Sequence, residues 1–186
     1  MNRPLLVVGT DTGVGKTRVG TGLVKAMQST GRPVLAIKPV ESGISEMELH
    51  EEDGAQLAQA SGQSFPTQAL TRLKAPLAPP VAAEKEGLSL HPEEWVSLIK
   101  DLLADHAFTL VEGAGGLLSP LAWNWTARDL AEELQARVLL VASDRLGTLN
   151  HTLLTLEALD AKNLSVLGVV FSAPEVTDPS TGLNAD

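Results

Sequence analysis

The sequence predicts an α/β protein built on a mostly parallel sheet flanked by helices. Apolar runs rich in β-branched residues recur at residues 5–8, 34–37, 108–111, 138–142 and 166–171, and the segments between them carry helical spacing. That alternation is the pattern of βαβ units. The first run leads directly into a glycine-rich turn, Gly9-Thr10-Asp11-Thr12-Gly13-Val14-Gly15-Lys16-Thr17, which opens onto a helix-like stretch. With 186 residues, 44% of them hydrophobic, the chain can bury one core, so residues 1–186 are read as a single domain.

The elements follow in order. A first helix is expected over residues 16–29, with Val19, Leu23, Val24 and Met27 on one face and Gly31 near its end. Asp53 opens a helix-like segment with Leu57, Ala58 and Ala60, where an acid can serve as N-cap. Lys74-Ala75-Pro76-Leu77-Ala78-Pro79-Pro80 is too proline-rich for regular helix and is read as an extended loop across the strand ends. Residues 92–106 form a helix started by Pro92, with Trp95, Leu98, Ile99, Leu102 and Leu103 as an apolar stripe and Trp95 in the core. The last helix is expected over residues 150–161, with Leu153, Leu154, Leu156 and Leu159, and Asn150 suits its N-cap.

Composition narrows the function. A net charge of −9 argues against a general nucleic-acid or anionic-membrane surface, so any basic phosphate site must be local. No apolar stretch is long enough to span a bilayer, and a cytoplasmic location is expected. The absence of cysteine excludes disulfides, thiolate metal sites and cysteine nucleophiles. The four histidines, His50, His91, His106 and His151, show no metal-ligand spacing.

The chemistry concentrates after strands, where open α/β sheets place their sites. In the first turn, the backbone N–H groups at Gly13, Val14 and Gly15 can cradle phosphates at a helix N-terminus. Lys16 can reach the outer phosphates, and the Thr17 hydroxyl can coordinate Mg²⁺. Thr10 stands where the first glycine of such loops belongs, with Gly9 one residue earlier. An ordinary glycine turn would not need the Gly-Lys-Thr ending; the motif by itself reads as a P-loop ATPase of the deviant, dimer-forming kind. Lys38-Pro39-Val40-Glu41-Ser42-Gly43 follows the second strand, where Lys38 can hold a phosphate or a carboxylate or simply snorkel at a sheet edge. Glu112-Gly113-Ala114-Gly115-Gly116 follows the third, as an Mg²⁺-holding acid beside glycines that admit phosphate, or as a structural turn.

These motifs, with Leu146-Gly147-Thr148-Leu149-Asn150-His151-Thr152, occur in an order that closely resembles the dethiobiotin synthetase family from about residue 5 to about residue 171. The resemblance implies a P-loop fold and an ATP- and Mg²⁺-dependent ring closure, in which 7,8-diaminononanoate and carbon dioxide become a cyclic urea. A carbamate forms, its oxygen attacks the γ-phosphate, and the neighbouring amine displaces phosphate from the mixed anhydride. By motif match Lys16 and Lys38 are the catalytic lysines, and Thr17, Asp53 and Glu112 hold Mg²⁺. Gly13, Val14, Gly15, Lys16, Thr17, Glu112, Gly115 and Ser172 bind nucleotide. Thr12, Lys38, Ser42, Gly115 and Gly116 orient the diamine and its carbamate. Thr148, Leu149 and Asn150, given by the neighbouring subunit of a homodimer, hold its carboxylate. Both lysines are expected to face the site and to add little to core packing.

Two departures stand out. Family members usually read adenine with an asparagine where this chain has Ser172, followed by Ala173 and Pro174, so weak base selection is expected. The family also continues with a further strand and helix near the base, which residues up to Asp186 are expected to lack. A cobyrinic-acid-type amide synthetase would bring a glutaminase domain with a nucleophilic cysteine, and this chain has no cysteine. A dimerising ATPase switch would carry a signature lysine where Asp11 stands.

Overall fold

The structure is a computed structural model that describes residues 3–44 and 49–185. Its elements, in order, are β1 (Leu5–Gly9), α1 (Lys16–Gln28), β2 (Val34–Ile37), β3 (Val40–Ser42), α2 (Asp53–Ser61), β4 (Thr71–Leu73), α3 (Pro79–Lys85), α4 (Pro92–Leu102), β5 (Phe108–Gly116), β6 (Pro120–Ala122), β7 (Trp125–Thr126), α5 (Ala127–Glu133), β8 (Arg137–Ser143), α6 (Thr148–Asp160) and β9 (Val166–Ser172). The five apolar runs of the sequence are the five strands of the main sheet, ordered β2-β5-β1-β8-β9 and parallel throughout. Two short pairs lie outside it: β3 with β4, parallel, and β6 with β7, antiparallel.

Successive side chains of a strand face opposite sides, so a strand buried on both faces must be apolar at every position. β1 meets this demand. Leu6 and Val8 face a core with Leu35, Ile37, Trp95, Ile99, Leu130 and Leu159. Leu5 and Val7 face a second core with Val24, Ala36, Leu57, Leu110 and Val141. The first layer brings in α4, α5 and α6, and the second α1 and α2. Trp95 is core, as its position in the stripe predicts. Its indole packs against Trp125 at a centroid distance of 6.0 Å, and its N–H donates to Thr71 Oγ1 at 2.9 Å.

Four expectations need correction. Pro79 and Pro80 begin α3, because the first positions of a helix have no intrahelical use for their N–H groups. α4 ends at Leu102, earlier than the periodicity suggests, and a short 3₁₀ turn continues to Asp105 while His106 Nδ1 bonds Leu102 O at 2.8 Å. α6 begins at Thr148, with Gly147 as N-cap at φ 91°, so Asn150 lies inside the helix and caps nothing. Asp53 is likewise the first residue of α2, after an N-cap at Glu52.

Candidate active site

The site forms at the carboxyl ends of β1, β2 and β5. Just beyond β1 the ladder to β8 continues for one more bond, the Thr10 N–H donating to Val141 O at 2.9 Å, before the glycine turn begins. Gly9 has no room for a side chain, since a Cβ there would sit 2.5 Å from Asp11 O, which accounts for a glycine at this place in the turn. Gly13 and Gly15 take φ values of 72° and 93°, a region glycine enters without steric cost. Gly15 is the N-cap of α1, so the turn ends where a helix presents its unpaired N–H groups. The Val14 side chain is buried in the core below. Lys16 is itself buried and donates to Asp11 O at 3.2 Å. Burial, together with the positive charge of Lys38, holds its pKa below the usual lysine value, a strain that an anionic ligand relieves.

Lys38 follows β2 and is almost wholly enclosed. Its ammonium donates to Glu112 Oε1 at 2.6 Å, to Asp53 Oδ2 at 2.8 Å and to Gly113 O at 3.3 Å. Burial alone would depress its pKa, but the two carboxylates outweigh burial and hold it above the usual value. Lys38 is therefore no snorkelling side chain, and it supports the interior more than the sequence suggests. Glu112 lies within β5, which runs on to Gly116 alongside β1, with Val7 opposite Glu112 in the register. It is fully buried, and burial raises its pKa against the pull of Lys38. Asp53 is only partly enclosed. Burial opposes its ionisation, but the Lys38 charge and hydrogen bonds from Lys38 and Thr17 leave its pKa below the usual carboxylate value. The contacts to Thr17 and Lys38 give Asp53 a part in the site beyond that of a helix-opening residue.

The Thr17 hydroxyl lies 2.7 Å from Asp53 Oδ1 and 2.9 Å from Glu112 Oε1. A hydroxyl has one proton and so can serve only one of the two acceptors. Three oxygens converging with one proton call for a cation, and the Lys38 ammonium supplies one here. The same donor set, two carboxylates and a hydroxyl beside a phosphate loop, suits Mg²⁺, which keeps few protein ligands and fills the rest with phosphate and water. Among the described residues no cluster of three or more His, Cys, Asp or Glu side chains offers a different metal site.

Thr12, Gly13, Gly15, Lys16, Thr17, Lys38, Ser42, Asp53 and Gly115 all line one cavity of about 650 Å³, with Glu112 directly beneath through Lys38 and Thr17. Gly115 turns at φ 68°, and a Cβ there would meet Ser119 Oγ at 2.7 Å and Thr12 Oγ1 at 3.6 Å, so Thr12 and Gly115 are neighbours. The Gly116 N–H donates to Ser119 Oγ at 3.0 Å and that of Gly43 to Ala75 O at 3.0 Å, so both amides are engaged within the chain. Pro76, Leu77, Ala78 and Pro79 close one wall, and Glu41 and Ser119 are further lining residues that sequence reasoning missed. Glu41 sits inside a quoted motif, but its partners lie twelve and thirteen residues on.

Besides Glu112, six predicted residues do not line this cavity: Val14 and Gly116, which flank it, and Ser172, Thr148, Leu149 and Asn150. Ser172 ends β9 beside the glycine turn, where its Oγ would lie 2.5 Å from a Cβ on Gly15. Thr148 is buried at the start of α6 with its hydroxyl unpartnered, while Leu149 and Asn150 are exposed. A larger groove of about 870 Å³, lined by Leu88, Val96 and Trp123 between α3, α4 and the β6–β7 turn, contains none of the phosphate-loop residues.

A parallel sheet of this order, with a glycine turn after its central strand and a lysine-carboxylate-threonine cluster behind it, defines a P-loop nucleotide-binding protein. An AAA-domain family description matches residues 3–185. The kinase domain of Escherichia coli tyrosine kinase ETK is similar at a TM-score of 0.58 and 14% identity, covering 96% of this chain and 69% of that one. A ParA family ATPase from Chlorobium tepidum TLS is similar at 0.56 and 15%, covering 92% and 73%. At these identities the likeness is one of fold. Sequence relatives are much nearer. An ATP-dependent dethiobiotin synthetase of Anaeromyxobacter dehalogenans is 45% identical over 187 residues, 98% of this chain and 82% of its own, and one of Aquifex aeolicus is 37% identical over 190 residues, 96% and 85%. The chain belongs to the ATP-dependent dethiobiotin synthetase family.

Replacing Lys38 by methionine leaves two carboxylates facing one another without their cation. Breaking a buried pair in this way costs about 3–5 kcal/mol. The variant's carboxylates take up protons more readily than those of the parent, so the loss shrinks as pH falls. Urea denaturation of Lys38→Met and the parent is expected to show a larger stability difference at pH 8 than at pH 5.5. An equal difference at both pH values contradicts the ion-pair role.

Proposed function

We propose that this chain closes 7,8-diaminononanoate and carbon dioxide into dethiobiotin, with hydrolysis of ATP to ADP and phosphate, as an ATP-dependent ligase of the cytoplasm. The observation that carries this reading is the meeting of Lys16 and Lys38 in one cavity whose metal-suited oxygens come from Thr17, Asp53 and Glu112. The reaction brings an anionic carbamate against an anionic γ-phosphate, so charge must be screened where the phosphoryl group moves. Thr17, Asp53 and Glu112 would hold Mg²⁺, which when bound neutralises phosphate charge.

The chain's own residues do the rest. The turn from Gly13 to Gly15 binds the phosphates through backbone N–H groups, and Lys16 neutralises the outer one. Lys38 holds the carbamate and stabilises the charge passing to the bridging oxygen. Ser42, Thr12 and Gly115 orient the diamine, so that its second amine attacks within the same molecule, where positioning gains most.

Thr148, Leu149 and Asn150 then serve the substrate carboxylate of a neighbouring subunit. Two facts support this: they do not line their own chain's cavity, and α6 exposes Leu149, Leu153 and Leu154 beside an exposed Leu146. An unpartnered apolar face of this kind suits a second copy.

Incubation with the diamine, labelled bicarbonate, Mg²⁺ and ATP is expected to place label in a cyclic urea, with phosphate released in proportion. Lys38→Ala is expected to lower turnover by about a hundredfold or more. Near-normal phosphate release from that variant removes Lys38 from the carbamate chemistry.

Mixing inactive Lys16→Ala chains with inactive Asn150→Ala chains tests the shared site. Half of randomly paired dimers carry one intact site each, so about a quarter of parental activity should return. Recovery of no activity after subunit exchange places Asn150 in its own chain's site or in none.

Base recognition is expected to be weak, because Ser172 offers one hydroxyl where a side-chain amide would donate and accept together. Such a paired contact is worth about 1–3 kcal/mol of discrimination. Catalytic efficiencies with ATP, GTP and CTP should fall within about a hundredfold of each other. A stronger ATP preference assigns base reading to another segment.

A further inference from the structure

Glu41 is a buried acid that the chemistry above leaves unused. It is the middle residue of β3, and its carboxylate accepts two hydrogen bonds from the first turn of α2. Glu41 Oε1 lies 2.6 Å from the Asp53 N–H and Oε2 lies 3.0 Å from the Gly54 N–H. Two of the four orphan donors at that helix start are thereby satisfied by one carboxylate, from another element and across twelve residues of chain. The negative charge also lies at the positive end of the helix. The helix's own N-cap residue makes no such bond: Glu52 instead pairs with Arg72, through contacts of 2.8 and 2.6 Å.

β3 and β4 pair with Glu41 opposite Arg72. This two-residue rung therefore holds the start of α2 twice, by Glu41 on its backbone and by Arg72 on its N-cap side chain. Gly54 allows the fit: a Cβ there would strike the backbone at Gln68 and Ala69, so the helix start is pressed against that segment on its other side. Asp53 is the residue so clamped, and its carboxylate reaches Thr17 and Lys38.

The arrangement carries a cost. Burial raises the Glu41 pKa, the bond from Gly54 works against that rise, and the neighbouring Asp53 charge adds to it. Beyond capping the helix start, a second acid placed beside Asp53 fixes the backbone from which the Asp53 carboxylate projects.

We propose that Glu41 is a positioning residue for the metal–nucleotide site, fixing the Asp53 carboxylate toward Thr17 by holding the backbone of Asp53 and Gly54. This rests on the assignment of Asp53 to Mg²⁺ above. Outer contacts that orient metal ligands commonly change metal affinity by about ten- to a hundredfold when removed.

The test uses the full chain with ATP and Mn²⁺, whose paramagnetic resonance signal reports binding without turnover. Glu41→Ala should weaken Mn²⁺–ATP binding by about tenfold or more and raise the Mg²⁺ needed for half-maximal activity, with little change in the KM for diamine. Glu41→Gln, which keeps one acceptor for one N–H, should lie between Glu41→Ala and the parent and covers the case in which the alanine variant does not fold. In an Asp53→Ala background, Glu41→Ala should add no further loss of Mn²⁺ binding, because the group it positions is gone.

Normal Mn²⁺ binding in Glu41→Ala and Glu41→Gln, with a loss in Asp53→Ala, overturns the proposal and leaves the metal assignment standing. A raised diamine KM with unchanged metal binding also overturns it, and makes Glu41 a substrate contact. Unchanged Mn²⁺ binding in Asp53→Ala overturns both.

Discussion

The Lys38 ammonium between Glu112 and Asp53 is the interaction on which the site depends. Each partner comes from a different part of the chain: the end of β2, the interior of β5 and the start of α2. Their meeting ties the sheet to the layer of α1 and α2. A fully buried carboxylate such as Glu112 is tolerated only with a partner, and Lys38 provides one. The surrounding groups follow from this pair. Thr17 sits within hydrogen-bond distance of both carboxylates and can donate to one of them at a time, and Lys16 stays apart on Asp11 O because two lysines in one low-dielectric pocket repel.

The cost of this arrangement explains its chemistry. One buried cation shared by two acids, with a second lysine held below its usual pKa, is a set of charges whose balance changes when anionic phosphate and a divalent ion arrive together. A site organised in advance around charge that a ligand brings has little rearrangement left to do at the moment of reaction. If Lys38 holds the carbamate as proposed, folding and binding draw on the same residue, and its variants are expected to lose stability and activity together.

Much of this could be read from the sequence because its signals are local. The five apolar runs are the five sheet strands, and the glycine turn declares its own geometry through Gly13 and Gly15. Lys16, Thr17, Lys38, Asp53 and Gly115 meet in one cavity, as the motif order implied. Long-range contacts and short elements were not legible. β3, β4, β6 and β7 have two or three residues each, too few for a period to show. Pro79 and Pro80 read as helix breakers, but their meaning depends on where the helix starts. Glu41 carries no role in the sequence reading of its motif, because its partners Asp53 and Gly54 are brought near by tertiary structure alone. Ser172 was expected just after its strand and is instead the last residue of β9, and only the fold shows that it lies beside Gly15.

β1 holds the nucleotide loop at the centre of the sheet, but its neighbours are supplied late. They are residues around 110–116 and 137–141, over a hundred positions downstream. Parallel pairing across such separations is slow, because the loop-closure entropy must be met before any contact rewards it. A chain emerging from the ribosome therefore exposes the phosphate loop with neither sheet neighbour until β5 is made, and with only one until β8 follows. Before β5 exists the apolar strand Leu5–Gly9 has two open edges, and before β8 exists it has one, the condition in which chaperones bind and in which a crowded chain mispairs.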